Sequence, residues 1–190
     1  IVVAYNLRFH PVIQRLKNLL ESNRPYAVHA YVGQHLPDWR PETDYRTSYS
    51  ANRVEGGGAL RDLSHELDYL NWSLGGWTRL TALGGHLSDL EIDSDDVYSV
   101  LFETARCPVV SVQMNYLDST LRREVLALTD HGSIHADLVS GAVTFEGQTE
   151  TFSVGRDETY VAEHRAAMAG QTDTLCSLAE GLAVNRMIAA

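Results

Sequence analysis

Lysine is nearly missing from this chain: Lys17 stands alone beside fourteen arginines. Cysteine is scarce as well, with only Cys107 and Cys176, and neither sits at metal-ligand spacing. That usage implies reduced, buried thiols in a cytoplasmic protein. No apolar run is long enough to span a bilayer, and no signal-peptide pattern opens the sequence. Basic residues are outnumbered 15 to 25, for a formal net charge of −10, which argues against a general nucleic-acid surface. Internal repeats, low-complexity tracts and flexible linkers are missing too. What remains is 190 residues with 44% hydrophobic content, enough for one domain with a real core.

The most informative stretch runs from Gly56 to Gly75. Leu60, Leu63, Leu67, Leu70 and Leu74 recur at steps of three and four, which predicts one apolar helical stripe. Asp62, His65, Glu66 and Tyr69 recur at the same steps on another face, so a buried helix is expected to present a carboxylate, an imidazole and a phenol together. Gly75-Gly76 supplies the stop signal. A core helix with a solvated polar edge explains the same spacing. The triple glycine before the helix serves close backbone approach equally well.

The run Gly56-Gly57-Gly58-x-Leu60-x-Asp62-Leu63-x-His65-Glu66-x-Asp68 resembles the substrate-domain helix of the Gfo/Idh/MocA oxidoreductases (glucose–fructose oxidoreductase, inositol dehydrogenase, MocA). Those enzymes join a nicotinamide-binding domain to a C-terminal sheet domain. Many members hold the Asp and His four apart. Here they lie three apart, which resembles a sub-branch with Asp-Leu-x-His-Glu. Tyr5-Asn6-x-Arg8-Phe9-x-Pro11 resembles the junction between the two domains, and Cys176-Ser177-Leu178-x-Glu180-Gly181 the closing helix. The resemblance implies that residues 1–7 are the remnant of the last strand of a nucleotide-binding domain, and 8–190 the substrate and oligomerisation domain. The family's Gly-rich phosphate loop and Glu-Lys-Pro motif do not occur, and the glycines at 56–58 do not follow a strand in a βαβ unit.

Along the chain, Val12 to Glu21 is expected to be helical, with Pro11 in its first turn and Lys17 on its surface. Tyr26 to Gln34 reads as a strand. The segment His35 to Ser50 combines two prolines, aromatics and both charge signs, an ordered loop of the kind that often serves function. Trp39 and Tyr45 offer faces for a sugar ring or base, while Arg40 and Arg46 offer forks for phosphate or carboxylate. A loop packing its own aromatics is the alternative. Strands follow at 78–85, 97–103, 109–116, 122–129 and 133–138, with a hairpin at 142–145 and 149–154. Short turns between them predict a largely antiparallel sheet. The acidic cluster Asp89, Glu91, Asp93, Asp95, Asp96 lacks the pattern of a calcium loop and reads as a solvated loop. Helices are expected at 158–169 and after Ser177, which forms a capping box with Glu180.

The expected fold is α+β: a large, mostly antiparallel sheet with helices packed on one face. The resemblance implies the substrate domain of an NAD(P)-dependent oxidoreductase acting on a sugar or nucleotide-sugar-like hydroxyl or carbonyl. His65 would handle the proton, because imidazole titrates near neutrality, and Asp62 would orient or charge-balance it. Arg8, His10, Trp39, Arg40, Tyr45, Arg46 and Tyr69 are the candidate substrate contacts. Arg8 serves equally as a brace at the domain hinge. NAD or NADP belongs to the intact enzyme, with no cofactor expected on this chain alone and no metal. The expected partners are a sugar-like small molecule and further copies of the chain, joined through the open sheet face, without nucleic acid or membrane. A stand-alone sheet module for sugar binding or scaffolding is the alternative. A zinc hydrolase on His65-Glu66 fails because Tyr69 stands where His-Glu-x-x-His needs its second histidine.

Overall fold

The computed structural model describes residues 1–190 as ten β-strands and five α-helices joined by loops and short 3-10 turns. Eight strands form one sheet in the order β3(Trp77–Gly85), β4(Val97–Thr104), β5(Val110–Asn115), β2(Pro25–Gly33), β6(Arg122–Thr129), β7(Gly132–Asp137), β8(Ala142–Phe145), β9(Gln148–Thr151). Every pairing is antiparallel except β2 with β5. The expected α+β class therefore holds. β1(Val2–Val3) lies apart and pairs antiparallel with β10(Cys176–Ser177). Both cysteines are free and buried.

Alternation along the strands buries one sheet face. Val28, Ala30, Val32, Val112, Met114, Val125 and Ala127 point inward, and each is at most 2% exposed. Against them lie Val12, Ile13, Leu16, Leu19 and Leu20 of α1(Pro11–Ser22) and Leu67, Leu70 and Leu74 of α3(His65–Leu74). The opposite face carries His29, Ser111 and Glu124 among exposed Leu83, Leu101, Leu126 and Leu128. α4(Glu158–Ala169) packs on the 3-10 turn Asn6–Phe9, and α5(Leu178–Ala189) on α3. The capping box of Ser177 and Glu180 forms at the start of α5.

The expected single helix through 59–74 is two. α2(Ala59–Asp62) ends at Leu63, and α3 restarts at His65. Ser64 N–H bonds to the Arg61 carbonyl and Glu66 N–H to that of Leu63, both i to i+3, so the helix register is interrupted there. The cause is tertiary. Asp95 accepts from the Leu60 N–H and fixes the start of α2, while Asp62 is tied to Ser50 and Tyr116. On the far side of the break, Glu66 and Asp68 are drawn to Arg123 and Arg8. The two segments are held by different partners, and one rotation does not satisfy both.

The glycines before α2 serve close approach. A Cβ on Gly57 would collide with the Tyr49 carbonyl oxygen, and one on Gly58, at φ +123°, with the Asp95 carboxylate. The acidic loop is thus more than solvated. Asp95 caps α2, and fully buried Asp96 accepts from the Leu87 and Ser88 N–H groups and the Ser88 hydroxyl.

A candidate substrate cleft around His65

The largest cavity, about 630 Å³, opens where several elements converge. The turn Asn6–Phe9 and the start of α1 bring Asn6 and His10; the first residue of α3 brings His65; β6 brings Arg123. The β7–β8 connection supplies Ser140 and Gly141, and the segment from the end of β9 into α4 supplies Ser153, Arg156, Thr159 and Tyr160. Asn6 donates its amide to the Thr159 hydroxyl at 2.7 Å, tying the opening turn to α4. His10 is the N-cap of α1, its Nδ1 accepting from the Val12 N–H.

His65 is half-buried, its ring edge-on to Tyr5 at 5.3 Å between centroids. Neither ring nitrogen bonds to the protein, and Nδ1 is buried without a partner. Burial first, and then the Arg123 charge, lower its pKa to about 3, so the imidazole is neutral at pH 7. Burial and Arg123 depress His10 in the same direction. Arg123 is held by Glu66, which is fully buried at the base of α3: Nε donates to Oε1 at 2.6 Å and Nη2 to Oε2 at 3.0 Å. This bidentate pair leaves Nη1 with no protein acceptor.

Asp62 is not with His65. Its Oδ2 accepts from the Ser50 hydroxyl at 2.5 Å and the Tyr116 hydroxyl at 2.8 Å. Burial raises its pKa, partly offset by those two bonds. The shared helix face expected for the two residues is lost at the Leu63–Ser64 break. Beside Asp62's partner Ser50, the residues Trp39, Arg40 and Tyr45 line a separate pocket of about 20 Å³. That is room for about one water molecule rather than a sugar ring. Trp39 meets Tyr116, the residue after β5, edge-on at 5.2 Å, so its ring packs against the end of the sheet. Arg46 is exposed and paired with Asp44 and Glu91.

Two further expected contacts lie in the interior. Tyr69 is fully buried, with its hydroxyl 3.5 Å from Glu66. Arg8 is 1% exposed and grips Asp68 through Nε and Nη2, with Nη1 on Glu180, so its guanidinium is engaged inside the domain. Arg123 went unnoticed in the sequence because nothing local marks it. Its partner Glu66 lies 57 positions away, and β6 shows only alternation.

The residues here do not form a dinucleotide cradle. The one glycine cluster is filled by the chain's own Tyr49 carbonyl and Asp95 carboxylate, which would repel a pyrophosphate. No three His, Cys, Asp or Glu side chains group to hold a metal ion. No helix is long and apolar enough to cross a membrane.

The family question is decided by residues 13–135, which match the GFO/IDH/MocA C-terminal domain. The chain belongs to the Gfo/Idh/MocA family. No curated protein matches it significantly. Among solved structures, an oxidoreductase from Thermotoga maritima superposes over 98% of this chain and 58% of its own, at TM-score 0.80 and 18% identity. UDP-N-acetylglucosamine 3-dehydrogenase from Acidithiobacillus ferrooxidans does so over 100% and 58%, at 0.70 and 16%. GenD2 of gentamicin A biosynthesis, solved in complex with NAD, does so over 98% and 58%, at 0.73 and 20%. The present chain therefore spans under three fifths of these Gfo/Idh/MocA-fold relatives, and at such identities the likeness is one of fold.

Proposed function

We propose that this Gfo/Idh/MocA domain is the substrate-binding part of an NAD(P)-dependent oxidoreductase acting on a sugar-like hydroxyl or carbonyl. The observation that carries the reading is His65: a neutral imidazole, unbonded at both ring nitrogens, in a cleft of about 630 Å³ edged by hydroxyl and amide groups. A cleft of that size suits a small polar molecule. Relatives of the same fold include a UDP-N-acetylglucosamine dehydrogenase and an NAD complex, which agrees with this chemistry. A bound nicotinamide would exchange hydride with a substrate carbon, and these residues offer it no cradle of their own.

What the chain contributes is the oxygen end of the reaction. Burial and Arg123 keep His65 from titrating near neutrality in the free chain, so it accepts the proton that leaves a hydroxyl as it becomes a carbonyl, and returns it in the reverse direction, as bound substrate raises its basicity. Asn6, Thr159 and the Ser153 hydroxyl orient the remaining polar groups. Asp62, fixed by Ser50 and Tyr116, acts at most as support for α2. In the intact enzyme, His65→Asn is expected to lower kcat about 10²–10⁴-fold, the usual worth of a positioned acid or base. Unchanged turnover in a folded His65→Asn enzyme would remove His65 from the chemistry.

The exposed face of the sheet supports a second proposal, self-association. Leu83, Leu101, Leu126 and Leu128 are each more than 40% exposed on one side of a continuous sheet. Such an apolar set is the composition of a pairing surface rather than a solvated one.

A further inference from the structure

The cleft has an unusual charge inventory. Its seventeen lining residues include Arg123, Arg156, His10 and His65 and no Asp or Glu, in a chain where acidic residues outnumber basic ones 25 to 15. Arg123 is not spent on its own partner. Glu66 takes Nε and Nη2, which fixes the plane of the guanidinium and leaves Nη1 free at the cleft. Arg156, at the rim, is exposed and forms no ion pair or hydrogen bond. A guanidinium with two nitrogens fixed from behind and one left free is a pre-organised donor for an oxyanion.

Resting on the sugar-binding reading above, we infer that the substrate carries an anionic group, a carboxylate or a phosphate, received by Nη1 of Arg123 and screened from solvent by Arg156. The neutral part of the sugar then lies over His65, with Asn6 and Thr159 at its hydroxyls. An anion at Arg123 would also offset the positive charge that, after burial, depresses His65, and so raise its basicity when substrate is in place. The other arginines of interest are already engaged: Arg8 with Asp68, Arg46 with Asp44 and Glu91.

The test is calorimetric and NMR titration of this chain with glucose, glucuronate, glucose 1-phosphate and inorganic phosphate, read at the imidazole resonances of His65 and His10. At least one anionic sugar is expected to bind about tenfold or more tightly than glucose, as a charge-assisted bond requires. Which of the two does so assigns carboxylate or phosphate. Arg123→Met/Glu66→Leu, which removes the whole ion pair and leaves no unpaired carboxylate, is expected to abolish that preference, and Arg156→Ala to weaken it. If the double variant melts early, Arg123→Lys serves in its place: it keeps a cation against Glu66 but has no free fork, and the preference should again fall. Glucose binding as tightly as both anionic sugars would overturn the inference and leave the sugar reading intact. Inorganic phosphate binding as tightly as the sugar anions, or a preference that survives the Arg123 variants, would overturn it as well. Silence from all the sugars at millimolar concentration would overturn both.

Discussion

Arg8 and Asp68 make the sharpest stability forecast, because both are 1% exposed and joined by two bonds, Nε to Oδ2 at 2.9 Å and Nη2 to Oδ1 at 2.7 Å. The same guanidinium donates Nη1 to Glu180 at 3.0 Å, lies 3.4 Å from the Leu175 carbonyl, and stacks over Trp72 at 5.0 Å. It therefore ties the opening turn to α3 and α5. Burial opposes the Arg8 charge, and the Asp68 carboxylate more than restores it. Asp68→Ala removes that carboxylate and leaves a buried cation facing only a partly exposed Glu180. Breaking a buried pair in this way costs about 3–5 kcal/mol. For a domain of this size, where 1 kcal/mol moves Tm by about 2–4 °C, the melting temperature should fall by roughly 6–20 °C.

Two comparisons decide whether the cost is that of an orphaned charge. Glu180 is 37% exposed, so solvent screening holds its ion pair below about 1 kcal/mol, and Glu180→Ala should cost mainly the capping box, about 1 kcal/mol more. Arg8→Met/Asp68→Leu removes both buried charges and should recover most of the stability lost by Asp68→Ala. Urea unfolding followed by circular dichroism, with the slope checked for constancy, measures all three. The reasoning fails if Asp68→Ala lies within about 1 kcal/mol of the parent, or if the double variant is no more stable than the single one.

Three other outcomes are expected. Gly57→Ala should destabilise by more than about 1 kcal/mol, since its Cβ meets a backbone oxygen that cannot swing away; a melting curve superimposable on the parent's would contradict the packing described here. His65 has a folded pKa of about 3, below its unfolded value, so its contribution is complete above about pH 6.5 and declines as pH falls toward 3, by up to about 1.4 kcal/mol per pH unit. Between about pH 6.5 and 5, His65→Leu should flatten that decline, although His10 adds a slope of the same sign; an imidazole resonance that titrates near neutrality would refute it. Leu101→Glu should shift the chain toward monomer in sedimentation at micromolar concentration, and a monomeric parent would end the self-association proposal.

Much of the fold was legible because it depends on local periodicity. The strands at 97–104, 110–115, 122–129 and 142–145 and the helices at 158–169 and 178–189 lie where alternation, leucine spacing and the capping box put them. Val110, Val112, Met114 and Tyr116 form the buried face their alternation implied. The parallel pairing of β2 with β5 was not legible, since nothing in either strand specifies the direction of its neighbour. The acidic loop was legible only in part for a similar reason: Asp89, Glu91 and Asp93 are exposed as a solvated loop requires, and Asp95 and Asp96 are not. Asp95 and Asp96 satisfy backbone N–H groups of Leu60, Leu87 and Ser88, and composition does not reveal which backbone donors a carboxylate will find.

The candidate site was only half legible, and the missing half has one physical origin. Spacing placed Asp62 and His65 together on the premise that α2 and α3 are a single helix whose polar side faces a cleft. In the folded chain nearly the whole circumference of α3 is buried, so its carboxylates require partners. Arg8 and Arg123 supply them from 60 and 57 positions away. Those ion pairs fix the rotation of α3, while Ser50, Tyr116 and Asp95 fix that of α2, and the backbone yields between them at Leu63 and Ser64. The break separates Asp62 from the imidazole and sets His65 at the first turn of α3, one residue before the glutamate that orients Arg123. The charged group beside His65 in the cleft is therefore a guanidinium rather than a carboxylate. An imidazole beside a cation is held neutral, and the cleft gains a donor for negative charge, whereas an Asp–His pair would have held the imidazole protonated and favoured a cation.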